Sequence, residues 1–143
     1  TLLDISPRQL TDWFWIAYTD AYDWVVEPNV IGMGSHAAGE IMTTKPYISG
    51  ANYINKMSDY CERCDFDPAK NCPLIRLYWA FLERHKEKLA DNIRLRMPLN
   101  SLSKRSEKDK EEDYRIFERV SEALEKGKRL IPGSLEQEGR SDV

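Results

Sequence analysis

Three sulfurs are the sharpest chemical feature of this sequence. Cys61-Glu-Arg-Cys64 is followed by seven residues and then by Cys72-Pro73. Cys61 and Cys64 stand at a spacing that lets two thiolates bind one metal centre, and a turn-rich loop can fold Cys72 back onto them. Cys-Pro also recurs in cluster-binding runs, where proline sets the approach of the next helix. A four-ligand zinc site of the Cys3His type would need His36 or His85. His85 lies thirteen residues beyond Cys72, roughly 20 Å away at the helical rise, and His36 follows no recognisable ligand spacing. An iron–sulfur cluster held by Cys61, Cys64, Cys72 and a fourth cysteine outside this chain is therefore the better metal reading. The alternative is three buried or idle thiols, because free cysteine is among the most buried residue types.

A second concentration is aromatic. Trp13, Phe14, Trp15, Tyr18, Tyr22 and Trp24 fall within twelve residues. Closely spaced rings can pass an electron, and they can equally be a packed core. Asp20 and Asp23 lie beside them, and buried carboxylates there would need hydrogen-bonding partners. Just beyond, Glu27, Asn29, Gly32 and Gly34 combine an acceptor, an amide and two permissive backbone positions, which suits close approach to a ligand. Neither a phosphate-binding glycine loop nor an ordered Ser/His/Asp set is present.

The elements that must position these groups read as helices. Ser6-Pro7-Arg8-Gln9 is an N-cap, a first-turn proline and a capping-box glutamine. The apolar spacing that follows predicts a helix over 7–26, ended by Pro28 and buried on several faces. Residues 28–50 hold Pro28, Pro46 and four glycines and read as irregular. A second helix is expected from Ser49 or Asn52 to about Tyr60, and a third from Cys72-Pro73 to Leu89 with Ile75, Tyr78, Trp79, Leu82 and Leu89 inward. Met97-Pro98 is expected to break the chain. Ser106 then caps a fourth helix with Tyr114, Phe117, Val120 and Leu124 as its apolar stripe and Gly127 as its stop. No stretch alternates with period two, so the fold class is all-α. Residues 1–131 are expected to be one helical unit and 132–143 a disordered tail.

Composition narrows the class of protein. The chain has 143 residues, 41% of them apolar, and no run approaches the roughly 20 residues of a membrane span. An odd cysteine count fits a reducing cytoplasm rather than a disulfide scaffold. No signal peptide is recognised, and the opening on Thr1 suggests a piece of a longer protein. The net charge of −3 hides an asymmetry: residues 70–110 carry eleven Lys and Arg against five Asp and Glu. That basic middle suits either a solvated helix face or a polyanion.

Taken together, WFWIAYTDAYDWVVEPNVIGM, KPYISGANYINKMSDYC, the cysteine run and LYWAFLERHKEKLADNIRLRMP resemble the iron–sulfur bacterial branch of the cryptochrome/photolyase superfamily, prokaryotic (6-4) photolyases included. The resemblance covers roughly residues 5–102 and points to the C-terminal portion of the helical FAD-binding domain. It implies FAD and a 4Fe-4S cluster, with Cys61, Cys64 and Cys72 as three of four ligands. It implies Trp13 and Trp15 as electron donors and Glu27 opposite the reacting edge of the flavin. Asp20, Asp23, Asn29, Gly32, Lys45, Tyr47 and Tyr53 become flavin or pocket contacts. The implied activity is light-driven repair of pyrimidine (6-4) lesions, with UV-damaged DNA and the remainder of the chain (antenna domain and upstream helices) as partners. A blue-light photoreceptor and a cluster-stabilised DNA-binding module without catalysis are the alternative readings.

Overall fold

A computed structural model of the chain describes residues 1–19, 22–30 and 48–135. Among the described residues six α-helices follow one another: α1 Pro7–Ala17, α2 Asp23–Asn29, α3 Ala51–Met57, α4 Pro73–Leu89, α5 Arg96–Ser103 and α6 Glu107–Glu125. Two short 3-10 turns, Tyr60–Arg63 and Ile93–Leu95, separate α3 from α4 and α4 from α5. The described residues contain no strand, and the fold class is all-α as expected.

Local signals set the helix ends. The Ser6 Oγ accepts from the Gln9 N–H at 3.2 Å and the Gln9 Oε1 accepts from the Ser6 N–H at 3.3 Å, completing the capping box. Ser106 caps α6 by accepting from the Asp109 N–H at 3.1 Å. Gly127 ends α6 in the left-handed region at φ 61°, where a side chain would be strained.

Long helices α4 and α6 pack against each other and carry the core. One cluster gathers Phe81 and Leu82 of α4 with Ile48, Leu95 and Leu102. The other joins Leu77 of α4 to Ile116 and Val120 of α6 and to Leu135. Two guanidiniums lie over rings between these helices, Arg84 at 3.8 Å over Phe117 and Arg105 at 4.8 Å over Trp79. Such contacts contribute on the order of 1 kcal/mol each. The buried Asp113 carboxylate lies between Arg76, 3.0 Å away, and Arg105, 2.7 Å away. Its burial pushes the carboxyl above the usual range, and the two arginines pull it only part of the way back. At the amino-terminal end, Asp4 accepts from Arg84 through Nε and Nη2 at 3.0 and 2.9 Å and pairs with His85 at 2.9 Å.

Several expectations are corrected. The helix over 7–26 is two helices, since the backbone turns extended at Tyr18, where Tyr18 and Thr19 are poor helix formers. Pro28 lies inside α2 and does not end it. Helix α1 buries none of its residues, so its rings are no core of the described residues. Met97-Pro98 does not break the chain. Pro98 occupies the first turn of α5, where its missing N–H has no intrahelical partner to lose. The inward face of α4 is Leu77, Ala80, Phe81 and Leu82, with Tyr78, Trp79 and Leu89 at its margin. On α6 the buried stripe is Asp113, Ile116 and Val120, while Tyr114 and Leu124 are exposed. The segment from 132 begins as a packed turn: Arg119 donates to the Ser134 and Leu135 carbonyls at 3.3 and 3.1 Å, and Leu135 is buried. Residues 136–143 lie outside the described residues.

Candidate functional site

The cysteines occupy three consecutive structural junctions. Cys61 lies within the 3-10 turn Tyr60–Arg63, and Cys64 caps its end, donating its N–H to the Cys61 carbonyl at 3.4 Å. Cys72 is the N-cap of α4, held extended ahead of Pro73. That proline is suited to the first helical position, so the chain leaves Cys72 directly into the long core helix.

The intervening loop is tied at both ends. Asp67 organises it: its carbonyl accepts from the N–H groups of Lys70, Asn71 and Cys72 at 3.2, 3.1 and 3.0 Å. Its Oδ1 accepts from the Ala69 N–H at 2.8 Å, and its own N–H donates to the Asn71 Oδ1 at 2.7 Å. The Ala69 amide is the chief reason that the Asp67 carboxyl sits below its ordinary value. Phe66 packs on the α4–α6 core beside Leu77, Ile116 and Val120. Asp65 pairs with Arg129 at 2.8 Å, linking the loop to the segment after α6.

All three cysteines are free, Cys61 and Cys72 half-buried and Cys64 exposed. Burial pushes the Cys72 thiol above its ordinary value, and the charges of Cys64 and Cys61 push it the same way, against the Leu74 amide that favours the thiolate. Among the described residues, no three His, Cys, Asp or Glu side chains converge closely enough to hold a single metal ion. A cluster is a wider guest, because its inorganic core stands between the cysteines that hold it. Three thiols on one anchored loop are soft donors, the ligand chemistry that iron–sulfur cores take. His85 is engaged by Asp4 and lies over Phe81 with ring centroids 4.6 Å apart, which removes it from this site.

The aromatic helix presents a second group. Trp13 meets Phe14 edge-on at 5.4 Å and Tyr18 at 6.2 Å, while Phe14 stacks on Tyr18 at 5.3 Å. Trp15 is half exposed and joins no ring contact among the described residues. Helix α2 is anchored by the buried Val26 and Val30. Asp23 and Glu27, one turn apart, are both exposed. Asn29 uses its amide N–H locally, donating to the Val25 carbonyl at 2.7 Å. Tyr53 is exposed on α3. Asp20, Gly32, Lys45, Tyr47 and also His36 lie outside the described residues. Sequence reasoning passed over Asp113 and Asp4. An acidic residue three and seven positions before Ile116 and Val120 was the only available signal for the first.

The described residues therefore define a helical protein with a thiol-bearing loop beside its core helix and an open aromatic and acidic face on α1 and α2. No family model matches the chain. Over 111 residues, 74% of this chain, the sequence is 46% identical to a (6-4) photolyase of Agrobacterium fabrum, and that stretch is 22% of the bacterial protein. Over 84 residues, 59% of this chain, it is 38% identical to the uncharacterized protein R855 of Acanthamoeba polyphaga mimivirus, covering 65% of that protein. The chain thus spans about a fifth of one relative and just under two thirds of the other. The bacterial likeness supports photolyase-family membership for this stretch. No helix of the described residues is long and apolar enough to cross a membrane.

Proposed function

We propose that this chain is the C-terminal, cofactor-bearing part of an iron–sulfur DNA photolyase that repairs UV-induced pyrimidine (6-4) lesions by light-driven electron transfer in the cytoplasm. The observation that carries the reading is the 46% identity over 74% of the chain to a (6-4) photolyase. Bound FAD would supply the electron chemistry, with reduced flavin as the light-excited donor. Cys61, Cys64 and Cys72 would hold three corners of a 4Fe-4S cluster, and the anchored loop would keep them together. Asp23 and Glu27, together with Asp20, Asn29, Gly32, Lys45, Tyr47 and Tyr53, would border the flavin. Their carboxylates and amides would accept from and donate to its polar edge. Trp13 and Trp15 would feed electrons toward it through neighbouring rings. The remainder of the polypeptide, antenna domain and upstream helices, would cover the exposed face of α1 and α2.

The test uses the intact protein that carries this chain, prepared without oxygen. Flavin and iron absorption together with light-dependent restoration of pyrimidines in a (6-4)-damaged oligonucleotide is the expected result. Flavin and iron without repair would move the assignment to a photoreceptor of the same family. A second reading is a cluster-stabilised DNA-binding module. It predicts DNA binding with no flavin at all.

A further inference from the structure

The turn between α4 and α5 is built unlike the rest of the surface. Ile93 is 85% exposed and Met97 81% exposed, on either side of Leu95, which is 2% exposed and belongs to the core cluster with Leu82 and Leu102. Arg94 and Arg96 flank Leu95 and are exposed, and neither forms an ion pair among the described residues. The Asn92 side chain accepts from the Arg94 N–H at 3.0 Å, and the Leu95 N–H donates to the Asn92 carbonyl at 3.0 Å. A side-chain cap and a buried leucine thus fix a 3-10 turn that holds two large apolar side chains and two exposed guanidiniums in solvent.

Fixing such groups outward has no return within the described fold. Exposed apolar side chains of this size gain nothing from water, and two neighbouring cations repel each other. The combination suits an anionic polymer with apolar surface between its charges. Proteins that bend duplex DNA insert Ile, Met or similar wedges between base steps while Arg and Lys hold the adjoining phosphates. A lipid surface is the weaker match, because interfacial helices present a long apolar face and this turn offers two residues.

We propose that the Ile93–Met97 turn is a duplex-DNA contact, in which Arg94 and Arg96 neutralise two phosphates and Ile93 and Met97 press against an unstacked base step. The proposal rests on the photolyase reading and adds to it a contact surface at the α4–α5 turn, on elements separate from the cysteine loop and the aromatic helices.

The test measures binding of the intact protein to a fluorescent duplex, with and without a (6-4) lesion, over a range of salt concentrations. Arg94→Gln/Arg96→Gln should weaken binding to both duplexes alike. It should reduce the slope of log K against log salt by about 1.8, the loss expected for two phosphate contacts. Ile93→Ser/Met97→Ser should leave that slope unchanged and weaken the lesion duplex, already partly unstacked, more than the intact one. All four side chains are exposed, so both variants should melt with the parent. Variants that bind as the parent does, while light-dependent repair persists, would overturn this proposal and leave the photolyase reading standing. A parent that neither binds duplex nor repairs it would overturn both. Binding to phosphatidylserine vesicles without binding to DNA would overturn the proposal in favour of a membrane contact.

Discussion

Phe66 offers a direct way to separate the thiol loop from the core that anchors it. Its ring packs beside Leu77, Ile116, Val120 and Leu135, and it sits two residues after Cys64 and six before Cys72. Truncating a fully buried phenylalanine to alanine costs about 3–5 kcal/mol. Phe66 is half-buried, so Phe66→Ala should cost roughly half of that, about 2 kcal/mol, and lower the melting temperature by about 4–8 °C for a chain of this size. A second readout is chemical. Cys72 is half-buried, with its thiol pushed up, so in the iron-free protein it should react with a thiol reagent more slowly than the exposed Cys64. Loosening the loop should speed modification of Cys72 while leaving Cys64 nearly unchanged. Denaturant melts and site-resolved alkylation by mass spectrometry give both numbers. A Phe66→Ala protein within 0.5 kcal/mol of the parent, or with an unchanged Cys72 rate, would refute the view that the core holds the loop; the first threshold is about the scatter of neutral surface changes.

Three other perturbations follow from the packing. Leu82 of α4 is fully buried against Leu95 and Leu102, so Leu82→Ala should cost about 3–5 kcal/mol in urea melts. Gly127 sits at φ 61°, so Gly127→Ala should cost about 1 kcal/mol, read by thermal unfolding against an exposed control such as Ser101→Ala. Asp113 has its carboxyl raised by burial, so the native state keeps a proton that the unfolded chain releases. Its contribution to stability is fully present below its ordinary value of 3.8 and is lost as pH rises through the raised native value. The stability of Asp113→Asn relative to the parent should therefore rise as pH goes from acid to neutral, read from denaturant melts of both proteins across that range.

The helical framework was legible because its signals are local. Ser6 with Gln9, Ser106 with Asp109, Pro73 after Cys72 and Gly127 each act within a turn of their own position, and the structure uses all four. What failed was what depends on partners. Aromatic residues at helical spacing read as core, yet Trp13, Trp15 and Trp24 are exposed, because spacing gives a face and not what covers it. The stripe of α6 was misplaced because an aspartate occupies one of its buried positions, and it is tolerated there by Arg105, just ahead of the helix, and by Arg76, remote in sequence. Pro28 and Pro98 were read as breakers although both lie inside helices. Of the site, the cysteine run and its loop could be read from spacing. The anchoring of that loop by Phe66 and Arg129 could not, since both contacts cross the fold.

Whether Cys61, Cys64 and Cys72 hold one iron–sulfur cluster is read from the iron content of anaerobically prepared intact protein and of its Cys64→Ser variant. Cluster retention is coupled to folding in sites of this kind, and Cys64 is the exposed member of the three. Its hydroxyl replacement should therefore lose iron and its absorption and cost the protein solubility. Full iron content in Cys64→Ser, or zinc in place of iron in the parent, would show that these cysteines do not hold an iron–sulfur cluster.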